Sequence, residues 1–136
     1  MENKLIDLSP EQIEVIENKL EAFDENYTKP SAQGRISIGI ERDGRLIAGL
    51  DAQMTTFNIL YLSELFVEAD FRGRGLGRKL MEEMEKRAKE MGANTIRLDT
   101  FDWQGAQFYP KLDYVQVGFY ENELDGYSEH FFVKRI

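Results

Sequence analysis

The chain has 136 residues, 42% of them hydrophobic, with 25 Asp and Glu against 17 Lys and Arg and a net charge of -8. That length suits one compact domain burying roughly two thirds of its unfolded surface without metals or crosslinks, and leaves no room for a second. The absence of cysteine excludes disulfides, thiolate metal sites and a cysteine nucleophile, while the acidic balance argues against nonspecific nucleic-acid binding and suits solubility or a cationic substrate.

Met1 to Asp7 holds no apolar run of signal-peptide length, and no segment approaches the ~20 residues of a membrane span, so a cytoplasmic protein with no membrane partner is expected. Leu5 to Leu8 reads as a short first strand. Ser9-Pro10-Glu11-Gln12 then opens a helix, with serine as N-cap, proline at the first helical position and glutamine closing a capping box. Ile13, Ile16, Leu20 and Phe23 form its apolar stripe, and it is expected to end near Asn26. Residues 27 to 34 read as a loop.

Ile36, Ile38 and Ile40 alternate with polar or small residues, and Asp43-Gly44 is the signal of a type I′ hairpin turn into a second strand from Arg45 to about Thr55. The apolar run from Ile59 to Val67 predicts a buried strand. After Glu68-Ala69-Asp70-Phe71 comes Arg72-Gly73-Arg74-Gly75-Leu76-Gly77-Arg78-Lys79, and a helix from Leu76 that puts Leu80, Met84, Ala88 and Met91 on one face and stops at Gly92. Thr95 to Phe101 is a strand, Gln104 to Leu112 a short helix, and Tyr114 to Tyr120 with Tyr127 to Lys134 a closing hairpin. A hairpin followed by β-α-β-α-β-β is an α/β (α+β) domain built on a mixed sheet.

The glycine-rich turn is the place where chemistry concentrates. Three glycines let backbone approach an anion, a new helix N-terminus points its amides outward, and four basic side chains fall between positions 72 and 79 of an acidic chain. A dinucleotide fingerprint would need glycine where Arg78 stands, and a P-loop would need a Gly-Lys-Ser/Thr ending. The stretch instead resembles the GNAT N-acetyltransferase signature, Gln/Arg-x-x-Gly-x-Gly/Ala, met by Arg72, Gly75 and Gly77. The resemblance runs from about Arg35 to the C-terminus and includes Phe108-Tyr109-Pro110-Lys111-Leu112-Asp113-Tyr114, which is similar to the superfamily's later motif.

The resemblance implies a GNAT-like mixed, mostly antiparallel sheet flanked by helices, and acetyl transfer from acetyl-CoA to a primary amine without a metal. It puts the pyrophosphate on Arg72, Gly73, Arg74, Gly75, Leu76, Gly77 and Arg78. It puts the pantetheine arm on backbone groups of Leu65 and Val67, and an oxyanion-donating amide at Phe66. The superfamily's usual asparagine aligns with Asp102, so Gln104 is the candidate to replace that contact. Asp113 stands where a glycine that permits a left-handed turn is common. The region that usually carries a second helix beside the acceptor is shortened over residues 24 to 34.

Two side chains are candidates for the chemistry. Glu64 reads as a carboxylate in an otherwise apolar strand, costly unless paired, solvated or used, and an alkylammonium with a pKa near ~10.4 needs a base before its nitrogen can attack. A solvent-facing or arginine-paired glutamate is the other reading. Tyr109, placed by the motif, is expected to protonate the departing thiolate; without the resemblance it reads as core. His130, the only histidine, suits neither a zinc site nor a triad on Ser128 that lacks an elbow motif. Phe101, Phe108, Phe119, Tyr120, Phe131, Phe132 and Trp103 read as core, with Tyr27, Trp103 and Tyr120 as candidates to line an acceptor pocket.

Three functions therefore compete: an N-acetyltransferase acting on a small-molecule or peptide amine, a noncatalytic acyl-CoA-binding sensor of the same fold, and an interaction module whose Arg-Gly-Arg-Gly loop binds an acidic partner. Holding both Glu64 and Tyr109 favours the enzyme. The acceptor and assembly into a homodimer stay open.

Overall fold

The computed structural model describes residues 1–28 and 32–136. The chain forms two compact units, Met1–Pro30 and Ser31–Ile136.

The first unit is built on helix α1, Pro10–Asp24. Its capping box forms as the sequence predicts: the Gln12 amide donates to Ser9 Oγ at 3.2 Å, and the Ser9 amide donates to Gln12 Oε1 at 3.0 Å. The strand expected at Leu5 to Leu8 does not form; these residues carry no regular structure, because the unit offers no second strand to pair with. The expected loop over 27 to 34 includes residues 29 to 31, which lie outside the described residues.

The second unit is a six-stranded sheet in the order β1-β2-β3-β4-β6-β5. Its strands are β1 (Arg35–Arg42), β2 (Arg45–Met54), β3 (Ile59–Val67), β4 (Thr95–Phe101), β5 (Val115–Asn122) and β6 (Tyr127–Arg135). Only β3 and β4 are parallel. Asp43 and Gly44 both take positive φ, 52° and 75°, as a type I′ turn requires. Helix α2, Leu76–Met91, covers one face through Leu80, Met81, Met84 and Ala88, against Ile36, Ala52, Leu60 and Leu62. Gly92 ends it at φ 100°. Among the described residues no helix is long and apolar enough to cross a membrane.

Three expectations need correction. The segment from Gln104 to Leu112 is not an α-helix but a run of turns ending in a 3-10 helix over Tyr109–Leu112. Gly105 disfavours helix, and Pro110 has no N–H to donate, so the chain tightens to short-range bonds such as Phe108 N to Gly105 O. Of the aromatics read as core, Phe132 is buried but Phe119, Tyr120 and Trp103 are exposed, because they stand on parts of the sheet and its loops that no helix of this unit covers. Asp113 does adopt the left-handed conformation, at φ 70°.

The third correction changes the reading of Glu64. Pairing of β2 with β3 shifts register so that Asp51 faces Glu64 while Ala52 faces Leu62, leaving Ser63 as the extra residue of a β-bulge. The Ser63 hydroxyl donates to the Asp51 carbonyl oxygen at 3.0 Å. The bulge reverses the side-chain alternation: Leu60 and Leu62 point to the core, but after Ser63 the core positions are Leu65 and Val67, and Glu64 and Phe66 turn outward. Glu64 is exposed. It is not a buried carboxylate among apolar neighbours.

Candidate active site

Strands β3 and β4 pair over three residues only, Ile59 to Tyr61 with Thr95 to Arg97. Beyond that they are not hydrogen-bonded to each other, while β3 continues along β2 and β4 continues along β6. Among the described residues the edge of β3 from Leu62 to Val67 that faces β4 therefore has no strand partner, and apart from the Val67 carbonyl, which accepts from Arg72, the backbone groups that point across it are available to a ligand. This separation is long-range and invisible in the sequence. At its foot the Tyr61 hydroxyl donates to Asp99 Oδ2 at 2.8 Å and the Arg97 guanidinium lies 4.4 Å from the Tyr61 ring centroid. Burial, then the bond to Asp99, raise the Tyr61 pKa, so it stays a donor.

The glycine-rich turn leads from β3 into α2. Gly73 and Gly75 both have positive φ, 76° and 81°, and a Cβ at either would meet nothing within 4 Å. Gly75 is the N-cap and makes no side-chain cap, so the first-turn amides of α2 have no side-chain acceptor there. Gly77 lies close to the next segment: a Cβ there would be 3.2 Å from the Phe108 ring, so the segment holding Tyr109 packs tightly against the start of α2. Arg78 adds a link, donating to the Lys111 carbonyl oxygen at 3.4 Å.

The basic side chains do not converge. Arg72 turns back on β3, donating from Nε to the Val67 carbonyl at 2.8 Å with its guanidinium 5.3 Å from the Phe66 ring centroid. Arg74 sits 5.5 Å from the Phe71 ring centroid. Gln104 folds under the end of β4, where its Oε1 accepts from the Phe101 amide at 2.9 Å. Leu65 and Val67 pack against the core, and Phe66 faces out, 59% exposed.

Tyr109 is buried, with its ring 5.2 to 5.9 Å from those of Phe108, Tyr114 and Phe132. A Cβ on Gly105 would come within 2.7 Å of that ring, so glycine is required there for Tyr109 to seat. Its hydroxyl has no hydrogen bond among the described residues, and burial pushes its pKa up to about 12.

Beside Glu64 the charges are ordered. Asp51 accepts from Arg35 Nε at 2.8 Å and from Ser37 Oγ at 2.6 Å. The bond from Arg35, then that from Ser37, lower its pKa to about 2. A carbon-detected NMR titration should accordingly find the Asp51 midpoint near pH 2, and Arg35→Ala should raise it toward the ordinary value of about 3.9. A midpoint unmoved by Arg35→Ala would show that the ion pair does not persist in solution.

His130 accepts or donates at both ring nitrogens, 2.9 Å from Ser128 Oγ and 2.8 Å from Gln116 Oε1, and stacks on Phe119. Trp103 stacks on Phe101 with centroids 4.7 Å apart, and Tyr120 donates to Glu129 at 2.6 Å. Tyr27 belongs to the first unit, tilted against Phe23. Among the described residues no group of three His, Asp or Glu is placed to hold a metal ion. Sequence reasoning missed Ser63 and Asp51; an Asp-x-Gln stretch facing a Ser-Glu pair carries no readable signal until the two strands are in register.

The model of the acetyltransferase (GNAT) family matches residues 4–114. Blasticidin-S acetyltransferase of Streptomyces morookaense is 31% identical over 94 residues, 68% of each chain. The crystal structure of an acetyltransferase from Bacillus cereus superposes with a TM-score of 0.90 at 29% identity, covering 98% of both chains. An aminoglycoside 6'-N-acetyltransferase solved with coenzyme A shares the fold, with a TM-score of 0.66 and 22% identity over 74% of this chain and 72% of that one. With a strand splayed from its parallel neighbour, a glycine turn into an uncapped helix and a family match spanning most of its length, the chain belongs to the acetyltransferase (GNAT) family.

Proposed function

We propose that this acetyltransferase carries the acetyl group of acetyl-CoA directly to a primary amine of a small molecule or peptide. The observation that supports the reading is one continuous stretch: the strand edge Leu62 to Val67 without a partner, two glycines at positive φ, and an uncapped helix N-terminus. Both ends of that stretch offer backbone donors to a long anionic ligand. The open space over Gly73 and Gly75 fits a pyrophosphate held close to the backbone. Its relative from Streptomyces is named for an antibiotic acceptor, which favours a small molecule.

When bound, acetyl-CoA supplies an activated acyl thioester. In this reading the backbone N–H groups of Leu76, Gly77 and Arg78 would donate hydrogen bonds to the pyrophosphate, with Arg74 and Arg78 balancing its charge. Arg72 acts at one remove, fixing the Val67 carbonyl and the Phe66 ring. Backbone groups of Leu65 and Val67, with the side-chain amide of Gln104, hold the pantetheine arm. The Phe66 amide, expected as the oxyanion donor, does not fit that role: Gly49 stands opposite Phe66 two residues from the Glu68 N to Ile47 O bond, a register that turns the Phe66 N–H towards β2 and leaves the groups of Leu65 and Val67 facing the open edge. Glu64 takes the proton of the acceptor ammonium, and Tyr109 donates to the leaving sulfur.

Calorimetric titration tests the coenzyme site. Acetyl-CoA should bind saturably, and Gly75→Val should weaken it about tenfold or more, since a β-branched residue at φ 81° costs about 1–2 kcal/mol and moves the helix start. Unchanged affinity in a folded variant would remove the site from this loop. Turnover against an amine panel separates the enzyme from a sensor that binds without reacting.

A further inference from the structure

Cross-strand rows order the exposed face of β1, β2 and β3. One row is Ser37, Asp51 and Glu64; the next, two residues along, is Gly39, Gly49 and Phe66. Two residues of strand are about 7 Å. Gly49 leaves bare backbone beside the Phe66 ring, the Leu46 side chain lies over Gly39, where a Cβ would meet its Cδ1 at 2.8 Å, and a groove of about 400 Å³ opens between them, with Glu64 towards one end and Glu68 towards the other. That volume lies in the lower part of the ~300–1,000 Å³ range of small-molecule sites.

The charges around the groove are unequal. Asp51 is satisfied by Arg35 and Ser37, and Glu68 accepts from Arg45 at 3.1 Å. Glu64 has no ion pair among the described residues. The groove thus presents one carboxylate without an ion pair, near the Arg35 guanidinium that is bonded to Asp51, and, a strand row away, an apolar shelf. It does not present a line of free carboxylates such as a polyamine would need to match each of its charges.

We propose that this groove takes the body of the acceptor, and that the acceptor is a primary amine with a single positive charge and an apolar or aromatic group within about 7 Å of the nitrogen. The ammonium meets Glu64, and the ring or chain lies on Gly49 between Phe66 and Leu46. The inference rests on the reading of Glu64 as the residue that receives the amine.

The test compares 2-phenylethylamine, ethylamine and spermidine as acceptors, following release of the coenzyme thiol. Burying the aromatic body should favour 2-phenylethylamine over ethylamine in kcat/KM by about tenfold or more, with spermidine no better than ethylamine. Gly49→Val fills the shelf: its Cβ lies 3.4 Å from the Ile38 carbonyl oxygen, a contact a strand accommodates, and Gly49 φ is ordinary. The variant should cut the 2-phenylethylamine preference about tenfold. Without any acyl donor, 2-phenylethylamine should shift the amide resonances of Gly39 and Gly49. A preference for spermidine, an aromatic preference that survives Gly49→Val, or unmoved glycine resonances would each overturn the groove assignment while leaving acetyl transfer standing. A wild-type protein that acetylates no amine would overturn the transferase reading and this inference with it.

Discussion

Tyr109→Phe should lower kcat by about 10²-fold or more while acetyl-CoA affinity barely moves. The ring sits between Phe108, Tyr114 and Phe132 and over Gly105, contacts that phenylalanine keeps. Only the hydroxyl is lost. The hydroxyl makes no hydrogen bond among the described residues, and no buried polar side-chain atom there lacks a partner, so its oxygen reaches the surface of an otherwise buried residue and its removal should change stability little. With a pKa of about 12, the phenol is protonated at every pH where the enzyme would work. Full transfer to a thiolate of ordinary pKa near ~8.5 is uphill, so its effect is a hydrogen bond to sulfur as charge develops, with the proton following. A thioester with a less basic leaving thiol should therefore recover part of the lost rate. Near wild-type turnover in the variant would make Tyr109 core and leave protonation to water.

The same group sets an alkaline limit on stability. A phenol whose folded pKa is raised favours the folded state below its unfolded value, about 10, and loses that advantage as pH rises towards 12. Tyr114, raised by burial and then by Glu85, acts in the same direction. Thermal midpoints measured between pH 9 and about 11 should fall less steeply in Tyr109→Phe than in the parent.

Elements with local signals were legible. The strand from Ile59 to Val67 and the helix from Leu76 to Met91 form at the expected boundaries, because an apolar run closed by turn residues and a 3.6-residue stripe closed by glycine are both short-range patterns. Residues that depend on pairing were not. In an unbroken strand Glu64 would share the core-facing side of Leu60 and Leu62; one extra residue, Ser63, reverses the alternation, and only the register against β2 reveals the insertion. The separation of β3 from β4 is likewise a property of two strands far apart in sequence. Arg72 shows a third limit, since composition counts its charge towards the anion loop while geometry spends it on Val67 and Phe66. The glycines at 73 and 75 do take the positive φ and keep the open space that the sequence reads there, because these are backbone properties that residue type announces.

Glu64→Gln should lose most at neutral pH and least at alkaline pH. The bulge at Ser63 turns Glu64 out of the apolar interior, and its position on the outward face, opposite Asp51 and at the groove, is what suits it to receive the amine. Its neighbour is already committed, since Arg35 and Ser37 occupy Asp51, so a proton arriving from the acceptor has Glu64 as its open carboxylate. At pH 7 an alkylamine of pKa ~10.4 is neutral in only about one molecule in 10³. An enzyme lacking its base depends on that fraction, and its kcat/KM should climb roughly tenfold per pH unit until the amine titrates. The parent's advantage, about 10²-fold at pH 7, should thus be gone by about pH 9. Glutamine keeps the size of the side chain and removes its charge, so a role confined to attracting the ammonium gives a different profile: KM rises and the loss stays level with pH until the amine itself loses its charge. A pH-independent loss in kcat/KM across pH 7 to 9 would assign Glu64 to binding and leave deprotonation to water.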